Sequence, residues 1–100
     1  MLSGSGSKSF YIAARDTGDV IHGSGSETNG IYKEVYHRPQ QNAAEDRWIE
    51  GVNSYGMTLT NEGTKMALYA SANLKTPAGH VVIYQEPAGN FPSGEAWSYE

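Results

Sequence analysis

The segment Val35-Tyr36-His37-Arg38-Pro39, followed by eight residues and Trp48, returns as Ile83-Tyr84-Gln85-Glu86-Pro87, followed by nine residues and Trp97. The two tyrosines are 48 residues apart and the two tryptophans 49. An acid stands two positions before each tryptophan, Asp46 and Glu95, and each intervening loop contains an asparagine, Asn42 and Asn90. Upstream the register holds near the same offset: Ile12 matches Leu59, Val20-Ile21 matches Ala67-Leu68, and Ser24 matches Ser71. A period of this size marks a duplicated supersecondary unit, each copy burying its apolar face against the next. Two units result, residues 10–50 and 56–100, read as one β domain. Residues 1–9, rich in Gly and Ser, read as a flexible leader or linker.

Each unit is predicted to hold four short strands. In the first, Phe10-Tyr11-Ile12-Ala13 is an aromatic and branched run, and Asp16-Thr17-Gly18-Asp19 supplies turn chemistry before Val20-Ile21. Residues 23–30 read as a loop ending in Asn29-Gly30, a tight-turn signal, and Ile31 to Tyr36 alternates as a half-buried strand does. Pro39 stops that strand, Gln40 to Arg47 has room for a helical turn but lacks an apolar stripe, and Trp48-Ile49 reads as the fourth strand. The second unit repeats the plan: Met57-Thr58-Leu59-Thr60, a turn at Asn61-Glu62-Gly63, Lys65 to Ala70, a loop through Pro77-Ala78-Gly79, Val81 to Tyr84, and Ala96-Trp97-Ser98. No segment has helical periodicity over ten or more residues.

Composition narrows the function. One hundred residues without cysteine accommodate one small domain that buries roughly 60–65% of its unfolded surface. Neither a disulfide framework nor a thiolate metal site can support it, so it rests on core packing or on association. Seven Lys and Arg are scattered against eleven Asp and Glu, a net charge of −4, so no basic stripe is available to neutralise phosphates or an anionic membrane. Nucleic acid is therefore not an expected partner, and no apolar run is long enough to insert in a bilayer as a helix. The N-terminus has neither the basic start nor the apolar stretch of a secretory signal, which points to the cytoplasm if that terminus is native. Catalytic signatures are missing: no Gly-x-Ser-x-Gly elbow, no phosphate loop, no His-Glu-x-x-His and no cysteine nucleophile. His22, His37 and His80 lack metal-ligand spacing. The expectation is a binding protein without a cofactor or metal, and not an enzyme.

With Tyr11-Ile12, Thr17-Gly18, Val20-Ile21, Asn29-Gly30, Tyr36 and Asp46-Arg47-Trp48 in view, the first unit resembles the repeat of the ricin-B-like β-trefoil lectins. The second unit matches it through Thr58-Leu59, Leu68-Tyr69, Ser71, Tyr84 and Glu95-Ala96-Trp97. The resemblance covers about ninety residues. It implies an all-β fold of two four-stranded trefoil-type repeats and a shallow sugar site after the third strand of each unit. Three departures stand beside it. Asp46 and Glu95 occupy the glutamine position of the family's Gln-x-Trp signature, His22 and Tyr69 replace its sugar-gripping Asp, and two repeats are present where a closed trefoil has three. The fold is then an incomplete trefoil, or one completed in a homo-oligomer. Weaker resemblances lead to the mycocypin-type trefoil protease inhibitors, through residues 81–98, and to the two-motif Greek-key βγ-crystallins, through residues 84–94.

On the lectin reading, the carbohydrate-binding residues are His22, Tyr36, Asn42 and Asp46 in unit one, and Tyr84, Asn90 and Glu95 in unit two. An aromatic face stacks on a pyranose while amides and carboxylates take its hydroxyls. His22 can make only part of the hydrogen bonding of an Asp, and Tyr69 leaves unit two inactive or differently used. Trp48 and Trp97 are expected in the core. The partner is a glycan or glycoprotein; on the inhibitor reading it is a protease presented with the loops at residues 23–30, 40–46 and 88–95, and a crystallin-like structural module is the third alternative.

Overall fold

The computed structural model describes residues 9–98 and is all-β, one continuous antiparallel sheet with no α-helix among those residues. Seven strands follow the chain: β1 (Ser9–Phe10), β2 (Asp19–Asn29), β3 (Tyr32–Pro39), β4 (Trp48–Asn53), β5 (Gly56–Asn61), β6 (Met66–Lys75) and β7 (Val81–Pro87). Short 3-10 turns occupy Ala44–Asp46 and Pro92–Glu95. The strand order is β1-β4-β5-β6-β7-β3-β2. The leader segment 1–8 and residues 99–100 of the second unit lie outside the described residues, and Ser9, read with the leader, pairs with Ile49.

The two halves are paired alike at the spacing of the sequence repeat. β2 meets β3 from Asp19↔Pro39 to Gly23↔Val35, slips, and resumes at Thr28↔Lys33. β6 meets β7 from Met66↔Pro87 to Ala70↔Ile83, slips, and resumes at Lys75↔Val81. Gly23 and Ala70, where the slips begin, are 47 residues apart, as are Thr28 and Lys75, where they end. The bridge Ala13↔Val20 corresponds to Thr60↔Ala67, and Phe10↔Trp48 corresponds to Met57↔Trp97.

Several boundaries move from their sequence expectation. Residues 23–29 extend β2 where a loop was expected, because the bulge absorbs the Gly/Ser run and the strand re-pairs beyond it. Gly23 suits that place, because a Cβ on it would crowd the carboxamides of Gln85 and Asn61. The tight turn falls at Gly30, with φ at +69°, a conformation open to glycine without steric cost. The first strand of unit one shortens to Ser9–Phe10 plus the bridge at Ala13, and the last strand of unit two reduces to the single bridge at Trp97.

The apolar core is small, centred on Trp48, Leu59 and Leu68, with Phe10, Ile12, Ile21, Val35, Met57 and Trp97 packed around it. Both tryptophans are tied in the same way. Trp48 Nε1–H donates to the Ile21 carbonyl at 2.9 Å, and Trp97 Nε1–H donates to the Leu68 carbonyl at 3.1 Å. Polar side chains share the interior: Gln85, Glu86, Asn61 and Asp46 are among the largest fully buried groups. Gln85 joins the halves, since its carboxamide donates to the Ser24 and Glu34 carbonyls and accepts from the Thr64 hydroxyl. Among the described residues no buried side-chain nitrogen or oxygen is left unbonded, as a core this polar requires. Arg47 grips Glu62 with two bonds of 3.0 Å; this pair, with Ser9 adding a bond, holds the Glu62 carboxyl down at about 2.

Replacing Trp48 by Phe removes the indole donor to the Ile21 carbonyl and opens a void. The expected loss is about 3 kcal/mol, read from urea unfolding; a loss under ~1 kcal/mol contradicts the assigned role.

Candidate functional site

In unit one the acid before the tryptophan organises a loop. Asp46 is fully buried at the end of the first 3-10 turn. Its Oδ1 lies 3.0 Å from His22 Nδ1 and accepts from Arg38 Nε at 3.1 Å, and its Oδ2 accepts from the Gln41 amide at 3.1 Å. An ionised carboxylate only accepts, so His22 Nδ1 carries the hydrogen. Burial works to raise the Asp46 pKa, but the bonds from Arg38, the Gln41 amide and His22 outweigh it and hold it below 3.8. Asn42 has φ at +58°, and its Oδ1 accepts from Tyr11 Oη–H at 3.3 Å and from Arg47 at 3.5 Å. Tyr36 is the cross-strand partner of His22, but its exposed ring turns its hydroxyl to Glu34 Oε1, at 2.8 Å. Of the four residues proposed for this unit, His22 and Asp46 are joined by a hydrogen bond, and the fully buried Asp46 carboxylate offers no exposed face to a ligand.

In unit two the corresponding acid does the same work without a cation. Glu95, 2% exposed, accepts from the Gly89 amide at 2.9 Å and the Phe91 amide at 3.1 Å. Gly89 stands 48 residues after Gln41, so each acid holds the corresponding amide of its loop. The position of Arg38, however, is taken by Glu86, also fully buried. Glu86 Oε2 accepts from the same Phe91 amide at 2.9 Å, and Asn90 Nδ2 donates to Glu86 Oε1 at 3.3 Å. Burial, and then the hydrogen bond with Glu95, push Glu86 up to about 7. Burial also acts to raise Glu95, but the bonds from Glu86 and the loop amides hold it below its ordinary value. One proton on Glu86 thus lets two buried carboxyl groups lie together.

The loop so held presents Phe91 to an aromatic wall. Tyr69 and Tyr32 stack with centroids 5.7 Å apart and planes 9° from parallel, and Tyr69 and Phe91 stack at 6.0 Å and 17°. Tyr84, the cross-strand partner of Tyr69, leans on Tyr32 at 5.8 Å and 37°. Beside the three near-parallel rings lies an open pocket of about 280 Å³, bordered by Ser71, Leu74, Ser93 and Gly94. Tyr69 is buried beneath it and Phe91 is 51% exposed at its rim. Gly94 permits the approach, because a Cβ there would stand 2.6 Å from the Tyr69 ring.

Sequence reasoning placed Tyr84, Asn90 and Glu95 in this region but passed over Tyr32, Phe91 and Glu86, and read Tyr69 as a loss. The rings come from three separated segments, and only the register Tyr69↔Tyr84 could have hinted that one belongs with another. Among the described residues no three His, Asp or Glu side chains are grouped to hold a metal ion. Comparison with protein-family models, with characterised proteins and with solved structures yields no significant match for this chain.

Asp46→Asn leaves Arg38 and His22 without their carboxylate and is expected to cost about 2 kcal/mol at neutral pH, Arg38 being partly solvated. Because the folded-state pKa of Asp46 is depressed, its contribution is present above 3.8 and is lost as pH falls through the folded value. Acid unfolding followed by circular dichroism should therefore be shallower below pH 3.8 in the variant than in the parent; equal slopes contradict the assignment.

Proposed function

We propose that this protein is a lectin-like module of trefoil type that binds carbohydrate at the unit-two cleft. The observation that carries the reading is the run of three near-parallel rings, Tyr32, Tyr69 and Phe91, ending in a half-exposed Phe91 beside the serines of a shallow pocket. The apolar face of a pyranose stacks on such a ring, and hydroxyl and backbone groups at the rim take its polar edge. The trefoil reading is supported by the sheet order, in which β1, β4 and β5 lie side by side and Trp97 bridges to β5, while the hairpins β2–β3 and β6–β7 project from them. In this reading Asp46 and Glu95 shape the loops and do not touch sugar, and His22 stays with Asp46. Tyr84 buttresses the rings. Association of copies would present several such sites to one glycan surface, raising a weak single-site affinity by avidity.

A protein partner is the second reading, favoured by the hairpin between β4 and β5, where Val52 is 80% exposed and Tyr55 65%. Apolar side chains at such a tip suit insertion into a groove of another protein.

A glycan array identifies the ligand, and calorimetry then compares Phe91→Ala with the parent. Loss of the exposed ring should weaken binding by ~10-fold or more, about 1.4 kcal/mol, with an unchanged circular dichroism spectrum. If the parent binds no glycan, or the variant binds as well as the parent, the carbohydrate reading is wrong. Binding of a protease that is lost with Tyr55→Ser and kept with Phe91→Ala would establish the second reading.

A further inference from the structure

The loop that carries Phe91 is fastened by two carboxyl groups and no cation. The Phe91 amide is shared between Glu86 Oε2 and Glu95 Oε2, at 2.9 and 3.1 Å, and the Gly89 amide and Asn90 carboxamide complete the set. Among the described residues neither carboxyl group makes an ion pair. Ala67 is the partner of Glu86 on β6, and Asn53, Thr58 and Thr60 of β4 and β5 line the small cavity that Glu95 borders. The other half of the molecule shows what a charge-balanced version looks like: there Arg38 faces Asp46.

We propose that Glu86 and Glu95 form a protonation latch on the cleft, holding Phe91 against Tyr69 while they share a proton and loosening residues 88–95 when that proton is lost. Its consequence for ligand binding rests on the carbohydrate reading given above. With the proton present, Glu86 donates to Glu95 and both groups accept loop amides. With it gone, two buried anions oppose each other in a site with no cation, and opening the loop to water relieves the repulsion.

The direction in pH follows from linkage. Glu86 titrates near 7 in the closed loop and near its ordinary 4.5 once hydrated, so the closed form binds the extra proton between those values. Closure is therefore strongest near pH 4.5, weakens as pH rises, and reaches its weakest, constant level above about 7; at lower pH the share of Glu95, whose pKa the closed loop holds down, is lost. His22 and His37 face Asp46 and Asp19 in the other unit, and His80 is exposed at the turn before β7.

The test is amide hydrogen exchange of Phe91 in the full chain at pH 5 and pH 8, corrected for intrinsic exchange, alongside the glycan affinity at the same two values. Protection of Phe91 should fall by at least ~10-fold toward pH 8, and affinity should fall with it. In Glu86→Gln, whose carboxamide donates to Glu95 at every pH, both should become independent of pH. Glu95→Gln is the second variant, expected to reduce the pH dependence without abolishing it, because Glu86 then faces no second carboxyl group but stays buried. Unchanged protection in the parent, a pH dependence that persists in Glu86→Gln or is undiminished in Glu95→Gln, or equal glycan affinity at the two pH values overturns the latch. A pH-dependent Phe91 amide with no glycan bound at either pH overturns the carbohydrate reading and leaves the latch standing.

Discussion

The indole N–H of Trp48 ends on the Ile21 carbonyl and that of Trp97 on the Leu68 carbonyl, and each unit is arranged around that bond. In both, the bond ties the segment after the 3-10 turn to the open end of the long hairpin, across 27 residues in one case and 29 in the other. A tryptophan suits the position because its ring fills a core otherwise thin in apolar side chains, while its single donor ends on a strand carbonyl. The turn preceding each tryptophan must then be closed tightly. The acid two residues before it does this, accepting the amide of Gln41 in one unit and of Gly89 in the other.

From that common frame the halves diverge where one residue changes sign. Arg38 opposite Asp46 makes unit one electrostatically self-sufficient, with His22 as a further donor. Glu86 in the matching place of unit two leaves the loop dependent on a proton, and Tyr69 in place of His22 turns a polar corner into an aromatic floor. Gly94 then allows the loop to lie directly on that floor. The cleft thus follows from the residues that differ between corresponding places of the two similarly paired halves.

Much of this frame is legible in the sequence. The Tyr and Trp spacing lies within two residues of the offset at which the strand pairing recurs, and Asn29-Gly30 and Asn61-Glu62-Gly63 mark turns that form, the second through Asn61 Oδ1 accepting the amides of Gly63 and Thr64. Residues 23–29 were misread because Gly and Ser report composition, whereas the bulge that keeps them in the sheet depends on Gln85, far away in the chain. Gln85 and Glu86 were themselves hidden: adjacent polar residues on a strand suggest at least one exposed side chain, yet both are fully buried because partners from other segments satisfy them. The aromatic cleft was the least accessible feature, since stacking of Tyr32, Tyr69 and Phe91 is a property of tertiary register and leaves no local signature.

If the paired indole bonds are what holds the two units, they should be the last hydrogen bonds of the side chains to open. Exchange of the two indole protons, followed by nitrogen-edited NMR at neutral pH, measures this directly. Both should be protected by at least ~100-fold relative to free indole and should exchange through one cooperative opening. An indole proton at either tryptophan that exchanges at the free rate would contradict the account, because that unit would then be held by something other than its tryptophan.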